Sequence, residues 1–150
     1  MKILFICTGN TCRSPMAEGI AKAIAEKMGF SYDISSAGLF VNDIDGVSQN
    51  AVSALDEIGV DISNHTPTQA TPEMLAAADI IVPMTDSHKA TLLTLGDEIG
   101  QKIKMLPADV PDPYMQSLDT YRACRDTLVE YIKILLLSLT ENDDDNTHAE

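Results

Sequence analysis

A short, largely apolar run at residues 2–6, followed at once by a polar loop and a helical stretch, constrains the fold of this chain more than any other feature. Such a run is typical of a parallel strand that is buried on both faces. After the loop, Pro15 suits the first helical position, apolar residues recur every four positions, and Gly29 is suited to end the helix. The pattern predicts a strand, a loop and a helix whose N-terminal N–H groups point towards the loop.

Strands and helices are predicted to alternate along the rest of the chain. The expected elements are a strand at 30–36 followed by an Ala-Gly turn, a helix from about Val47, a short helix capped by Thr71, a strand at 80–84 that Pro83 should end early, a helix at 86–95, a strand at 102–106 and a long helix from Leu118. This alternation predicts a doubly wound α/β fold with a mainly parallel sheet.

The acidic character of the chain narrows its possible partners. A net charge of −13 argues against nucleic acid and anionic membranes, both of which bind clusters of lysine and arginine. The tail at 141–150 holds five of the 23 acidic residues and is expected to be disordered, which leaves 1–140 as a single domain. Three irregularly spaced cysteines and no signal-peptide pattern predict a cytoplasmic protein, which we expect to be a monomer.

Four short polar motifs follow predicted strands or lie in late loops. Because ligands bind at the carboxyl ends of the strands in doubly wound folds, these motifs are expected on one rim of the sheet. They are CTGNTCRS at 7–14, SAG at 36–38, MTDSH at 84–88 and DPY at 112–114.

The first of these loops pairs a cysteine with an arginine at the spacing Cys-x5-Arg. Successive N–H groups of a tight loop can surround a tetrahedral anion such as phosphate or arsenate, and Arg13 can bind two of its oxygens through the planar guanidinium. The same positive surroundings predict a lowered pKa for Cys7, and Ser14 can donate a hydrogen bond to the resulting thiolate. Gly9 and Asn10 suit the positive-φ backbone that such a loop needs.

A metal site or a nucleotide site would fit this loop less well. A zinc site needs a second pair of ligands, and a nucleotide-binding P-loop needs a lysine and a second glycine, none of which is present at the required spacing. Two small buried cysteines in a strand-to-helix turn would explain the cysteines but not the arginine and serine beside them. The strand before the loop and the helix after it favour a catalytic site.

The motifs also resemble a known family. FICTGNTCRSPMAE near the N-terminus, with SAG, ISNH, ADIIVPMTDSHK and DPY following in order, is similar to the low-molecular-weight protein tyrosine phosphatases, and the resemblance covers nearly the whole chain. It implies a flavodoxin-like domain in which a four-stranded parallel sheet of strand order 2-1-3-4 is flanked by helices on both faces. It also implies a cysteinyl-phosphate intermediate, with no metal and no cofactor, and phosphorylated proteins as substrates.

The resemblance assigns roles residue by residue. Cys7 would be the nucleophile, Arg13 would clamp the phosphate, and Ser14 would stabilise the thiolate as a leaving group. Asp112 would protonate the leaving atom and then deprotonate the hydrolytic water; from the residues alone it is only a turn residue before proline. Tyr114 would form a wall of the substrate pocket.

Further residues are assigned to the phosphate-binding loop and to its support. The residues that resemble the family's supporting hydrogen-bond network are Asn10, Ser36 and His65. No role is assigned to His88, which is interpreted as an ordinary loop histidine. The phosphate-binding loop comprises Thr8, Gly9, Asn10, Thr11, Cys12 and Ser14.

Thr11 indicates which substrate the site takes. Relatives directed at tyrosine usually have an aliphatic residue at this place, whereas the bacterial protein-arginine phosphatases have threonine, whose hydroxyl can hydrogen-bond a guanidinium nitrogen. Thr85 supports the same branch, because many tyrosine-directed relatives have aspartate there. The prediction is a phosphoarginine protein phosphatase, with a phosphotyrosine phosphatase as the alternative.

Two less favoured functions and one redox hypothesis remain open. Arsenate reductases of this shape use two mid-chain cysteines as a relay, and no cysteine lies between Cys12 and Cys124. A phosphoprotein-binding module without turnover would not need both Cys7 and Asp112. Cys12 either forms a reversible disulfide with Cys7 that protects the nucleophile or is a small buried side chain of the loop wall.

Overall fold

A parallel sheet places β1 (Lys2–Cys7) between β2 (Asp33–Gly38) and β3 (Ile80–Pro83). The computed structural model describes residues 1–42 and 46–148, with side chains described through residue 140. The register pairs Cys7 with Gly38 and Ile6 with Pro83, so the three strands end at nearly the same level. The carboxyl ends of the strands therefore form one rim, as the sequence predicts.

The predicted fourth strand at 102–106 is reduced to a single parallel bridge. Ile103 bridges to Ile81 in β3, and the Lys104 N–H donates to the Ile81 carbonyl at 2.9 Å. A helix ends at Lys102, immediately before the bridge, and Pro83 in the neighbouring strand has no N–H to donate. The segment still lies on the outer side of β3, where the order 2-1-3-4 puts it.

Helices cover both faces of this sheet. Side chains alternate along β1, so that Ile3 and Phe5 enter one hydrophobic core while Leu4 and Ile6 enter another. The helices are α1 (Arg13–Met28), α2 (Gln49–Asp56), α3 (Pro72–Ala77), α4 (Asp86–Leu93), α5 (Asp97–Lys102) and α6 (Leu118–His148). The first core is shared with α1, α2 and α6, and the second with α3, α4 and α5. The predicted single-domain α/β fold is confirmed.

Several predicted boundaries hold and others shift. Gly29 ends α1 at a φ of 77°, and Pro83 is the last residue of β3, but Pro15 is the third helical residue instead of the first. The Ala-Gly pair expected as a turn forms the end of β2, and helix α5 was not predicted.

Helix α6 extends past the domain boundary predicted at residue 140. The disorder of the tail stays a prediction, and residues 149–150 lie outside the described residues. Within residues 1–42 and 46–148, none of the helices combines the length and the apolar character that a membrane span needs.

Candidate active site

The loop between β1 and α1 folds tightly against the end of β2. Asn10 has a φ of 55°, in the left-handed region that asparagine tolerates better than most residues. Gly9 does not share that conformation, so the prediction of a positive φ is correct for Asn10 and wrong for Gly9. Gly38 allows the close approach, because a Cβ there would lie 2.5 Å from the Thr8 carbonyl oxygen and 3.0 Å from the Asn10 nitrogen.

A pocket of about 210 Å³ opens above this loop. It brings together residues from three separate parts of the chain: the loop with the residues at its two ends, the segment after β2 and the loop before α6. Its lining consists of Cys7, Thr8, Gly9, Thr11, Cys12, Arg13, Phe40, Asn42, Asp112 and Tyr114. The pocket is large enough for a phosphoryl group and the first atoms of the group that carries it.

The Cys7 thiol is buried at the floor of the pocket. Its Sγ lies 2.7 Å from the Ser14 hydroxyl and accepts from the Asn10 N–H at 3.3 Å. Burial raises the pKa of Cys7, and the opposing effects of Ser14, the Asn10 N–H and Arg13 do not offset it. The predicted net lowering of this pKa is therefore wrong, although each group that was expected to lower it acts in that direction.

The Asn10 side chain is the centre of a buried hydrogen-bond network, and each of its hydrogen bonds has a defined donor and acceptor. Its Oδ1 accepts from the Thr68 N–H at 2.9 Å, which fixes the orientation of the side-chain amide. The same oxygen contacts His65 Nε2 at 2.9 Å, so His65 must be the donor there. The Nδ2 group donates to the Ser14 hydroxyl at 2.8 Å and to the Ser36 hydroxyl at 3.0 Å. The three residues assigned to the supporting network do meet in the structure.

The orientation of Asn10 determines that of the Ser14 hydroxyl. Since Ser14 accepts from Asn10, its single hydrogen is free to point at Cys7 Sγ, as a group that stabilises a thiolate must. Ser36 in turn donates to Glu18 at 2.8 Å. Glu18 is a member of the network that the sequence did not predict. Its place in the second turn of α1, facing the strand that contains Ser36, was the only available signal.

Arg13 connects the floor of the pocket with its rim. The side chain is buried, and its guanidinium donates to the Val110 carbonyl at 3.2 Å and lies 3.5 Å from the Asp112 carboxylate. Asp112 is half exposed, and it also accepts from the Tyr114 N–H at 3.1 Å. The clamp, the acid and the pocket wall predicted from the sequence therefore share one edge of the pocket.

His88 belongs to the site, contrary to its interpretation as an ordinary loop histidine. It is buried, and its two ring nitrogens contact the hydroxyls of Thr8 at 2.8 Å and Thr85 at 2.9 Å. Thr85 caps helix α4 by accepting from the His88 N–H. The position of MTDSH on the predicted rim was a signal that pointed to this contact.

Cys12 is buried, and its Sγ lies 3.2 Å from the Tyr121 hydroxyl of α6. That hydroxyl accepts from Ser48 at 3.0 Å, and burial is the main cause that raises the pKa of Tyr121. All three cysteines are unpaired and buried. The predicted disulfide between the two loop cysteines stays a prediction. In the described ranges 1–42 and 46–148, no three His, Cys, Asp or Glu side chains are grouped to hold a metal ion.

Comparison with known proteins agrees with this geometry. The family model described as "Low molecular weight phosphotyrosine protein phosphatase" matches residues 2–145. The chain belongs to this family. The resemblance predicted from the motifs is thereby confirmed, and the chain is an enzyme of the low-molecular-weight protein phosphatase type.

Individual low-molecular-weight phosphatases and their relatives span several activities. A protein-arginine-phosphatase of Bacillus subtilis is 36% identical over 149 residues, which cover 95% of this chain and 99% of that protein. An arsenate reductase of Staphylococcus epidermidis is 44% identical over 100 residues, or 67% of this chain and 71% of that protein. A solved YwlE arginine phosphatase, a cysteine-to-serine mutant with a phosphorylated active-site serine, matches with a TM-score of 0.88 at 36% identity and covers 93% of this chain and 96% of that chain.

Proposed function

We propose that this phosphatase hydrolyses phosphoarginine on proteins through a cysteinyl-phosphate intermediate. The observation on which the proposal rests is the presence of Thr11 in the wall of the pocket that holds Cys7 and Arg13. The similarity to a protein-arginine-phosphatase over nearly the full length supports it. The phosphorylated serine in the related arginine phosphatase supports a nucleophile at the corresponding place.

In the first step the Cys7 sulfur attacks phosphorus as a thiolate; burial opposes this form, whereas the hydrogen bonds of the loop and the Arg13 charge favour it. A sulfur–phosphorus bond forms as the phosphorus–nitrogen bond breaks, and the electron pair of that bond stays on the guanidine nitrogen, which takes a proton from Asp112. Arg13 and the loop N–H groups hold the phosphoryl oxygens meanwhile. The high basicity of guanidine favours this protonation.

In the second step water hydrolyses the intermediate. Asp112, now a carboxylate, removes a proton from water as the oxygen attacks phosphorus, and the sulfur–phosphorus bond breaks with its electron pair returning to Cys7. The Ser14 hydroxyl hydrogen and the Asn10 N–H stabilise the thiolate as it leaves. The products are arginine, inorganic phosphate and an enzyme ready for a further cycle.

The position of Thr11 explains how it would select the substrate. Its carbonyl accepts from the Ser48 N–H at 2.8 Å, which anchors the backbone of the loop beside the pocket. Its hydroxyl lies 3.5 Å from Cys12 Sγ, a weak partner, so the hydroxyl can turn to a guanidinium nitrogen of the substrate. An isoleucine at this place would offer only apolar contact and would fill the space.

Hydrolysis of phosphotyrosine is the second candidate. Phe40 is 73% exposed and Tyr114 is 50% exposed, and both line the pocket, where they could pack against a phenyl ring. A flat guanidinium can stack on the same rings, so the aromatic walls do not decide between the two substrates.

The deciding experiment compares kcat/KM on two peptides of the same sequence that carry phosphoarginine or phosphotyrosine. We expect a preference for phosphoarginine, and a large preference for phosphotyrosine would overturn the proposal. Thr11→Ile should shift the ratio towards phosphotyrosine by about tenfold or more, because a hydrogen bond to a charged group is lost. Thr11→Ser is the matched control, which keeps the hydroxyl. An unchanged ratio in Thr11→Ile would remove Thr11 as the determinant.

Turnover itself is tested with Cys7→Ser on an aryl phosphate. Loss of the nucleophile should lower kcat by a factor on the order of 10⁴ or more. Equal inactivity of the wild type and the variant would instead favour a phosphoprotein-binding module. Arsenate reduction by a cysteine relay is disfavoured because Cys124, the next cysteine after the loop, is buried on α6.

A further inference from the structure

A buried histidine outside the predicted catalytic set contacts the phosphate-binding loop directly. His88 is only 6% exposed, and both of its ring nitrogens contact threonine hydroxyls. Thr8 on one side directly follows the nucleophile and lines the pocket, and Thr85 on the other side begins α4. The two reaction steps at Cys7 and Asp112 use none of these three side chains.

The hydrogen bonds that join Thr8, His88 and Thr85 can run in two directions. Thr85 accepts from the His88 backbone N–H at 3.2 Å, which leaves its hydroxyl hydrogen free to be donated to Nδ1. His88 then carries its hydrogen on Nε2 and donates it to Thr8. In this arrangement the Thr8 hydroxyl accepts from the ring and keeps its own hydrogen for another acceptor. In the reverse direction Thr8 would donate to the ring and have none left.

The surroundings of His88 keep its ring neutral, as either direction requires. Burial and the nearby Arg13 charge lower the pKa of His88 to about 4, although the carboxylates of Asp109 and Asp112 oppose this. A neutral imidazole has one donor and one acceptor, which matches two hydroxyl partners. Because Thr85 already accepts from the helix it caps, the first direction pairs its hydroxyl hydrogen with Nδ1 and leaves the Thr8 hydroxyl hydrogen for a ligand in the pocket.

We propose that His88 is a positioning residue that directs the Thr8 hydroxyl hydrogen at an oxygen of the phosphoryl group bound in the pocket. The inference rests on the Cys7 loop as the phosphoryl site, but not on the identity of the phosphorylated amino acid. Thr8 thereby adds a side-chain donor to the backbone N–H groups of the loop. Such a donor lowers the energy of the bound anion and of the transition state that follows.

Two substitutions of His88 separate positioning from packing. In His88→Gln the side-chain amide can occupy the place of Nε2 and donate to Thr8, whereas in His88→Asn it can occupy only the place of Nδ1 and contact Thr85. We expect His88→Asn to lower kcat/KM about tenfold and to raise the inhibition constant of inorganic phosphate, and we expect His88→Gln to retain most of both. Equal losses in two folded variants with similar Tm would overturn the inference.

A double-mutant cycle with Thr8→Val tests whether the effect passes through Thr8. If His88 acts through this hydroxyl, His88→Asn should cost little once Thr8→Val has removed it. A full additional loss in the double variant would show that His88 acts elsewhere. Cys7→Ser, measured alongside, is inactive if the loop is catalytic, so failure of the proposed function is recognised separately.

The direction of the hydrogen bonds can also be measured without any substitution. A long-range nitrogen–proton NMR spectrum of the wild-type protein distinguishes hydrogen on Nε2 from hydrogen on Nδ1 of His88. The Nε2–H form is expected at neutral pH. Observation of the Nδ1–H form would overturn the proposal even if the His88 variants failed to fold.

Discussion

The floor and the rim of the active-site pocket are built in opposite ways. At the floor, Asn10 is completely buried, its side chain is hydrogen-bonded to four other residues, and each of these bonds has a defined donor and acceptor. At the rim, Asp112 and Tyr114 are about half exposed and are held by few contacts. Because a buried polar group is costly when a partner is lost, the floor is rigid and coupled to stability. The rim can serve chemistry and substrate choice without destabilising the fold.

Of the substitutions that compare the rim with the floor, Asp112→Asn is expected to give the larger change in activity and the smaller change in stability. Removing the acid and base should lower kcat by about 10²–10⁴-fold. The free energy of unfolding should change by less than about 1 kcal/mol, because the bond to Arg13 involves an exposed carboxylate. Kinetics on an aryl phosphate measure the change in kcat, and urea unfolding measures the change in unfolding free energy. A large loss of stability would contradict the contrast between rim and floor.

Asn10→Ala should lower both the stability and the activity. The substitution removes one hydrogen-bond partner each from Ser14, Ser36 and the Thr68 N–H and puts alanine at a positive φ, so we expect a loss of about 3 kcal/mol or more in unfolding free energy. The activity should fall as well, since the Ser14 hydroxyl is no longer oriented. Asn10→Gly, which removes the same side chain but tolerates the positive φ, is the control and should lose less stability than Asn10→Ala. If Asn10→Ala were as stable as Asp112→Asn, the floor would not be the rigid part.

The smallest expected effect concerns the pH dependence of stability. The pKa of His88 is lowered from 6.5 to about 4 in the folded protein, so the unfolded chain binds more protons between these values. Stability should therefore decrease as the pH falls from about 6.5 to about 4. The pKa of His65, also lowered by burial, acts in the same direction.

Urea unfolding of the wild type and of His88→Asn at pH 7 and pH 5 isolates the contribution of His88. Between these pH values the wild type should lose about 1–2 kcal/mol more than the variant. The same loss in both proteins would mean that His88 is not protonated preferentially in the unfolded chain.

Much of the fold could be predicted because the signals are local. The apolar run of β1, the glycine that ends α1 and the threonine that caps α3 each act within a few residues. The fourth strand was predicted to be longer than it is. Helix α5 ends at Lys102, immediately before the single bridge from Ile103 to β3, so little chain is left there to pair as a strand. The pKa of Cys7 was misjudged in direction because the depth of burial cannot be read from neighbouring residues.

The chemistry of the loop was determined by the sequence itself. Cys7, Arg13 and Ser14 lie within eight consecutive residues, and a strand before them and a helix after them leave the loop few ways to fold. Only the tertiary structure decided what holds that loop. The contacts from Asn10 to His65 and from Thr8 to His88 span 55 and 80 residues, and such contacts depend on how the sheet brings its strand ends together.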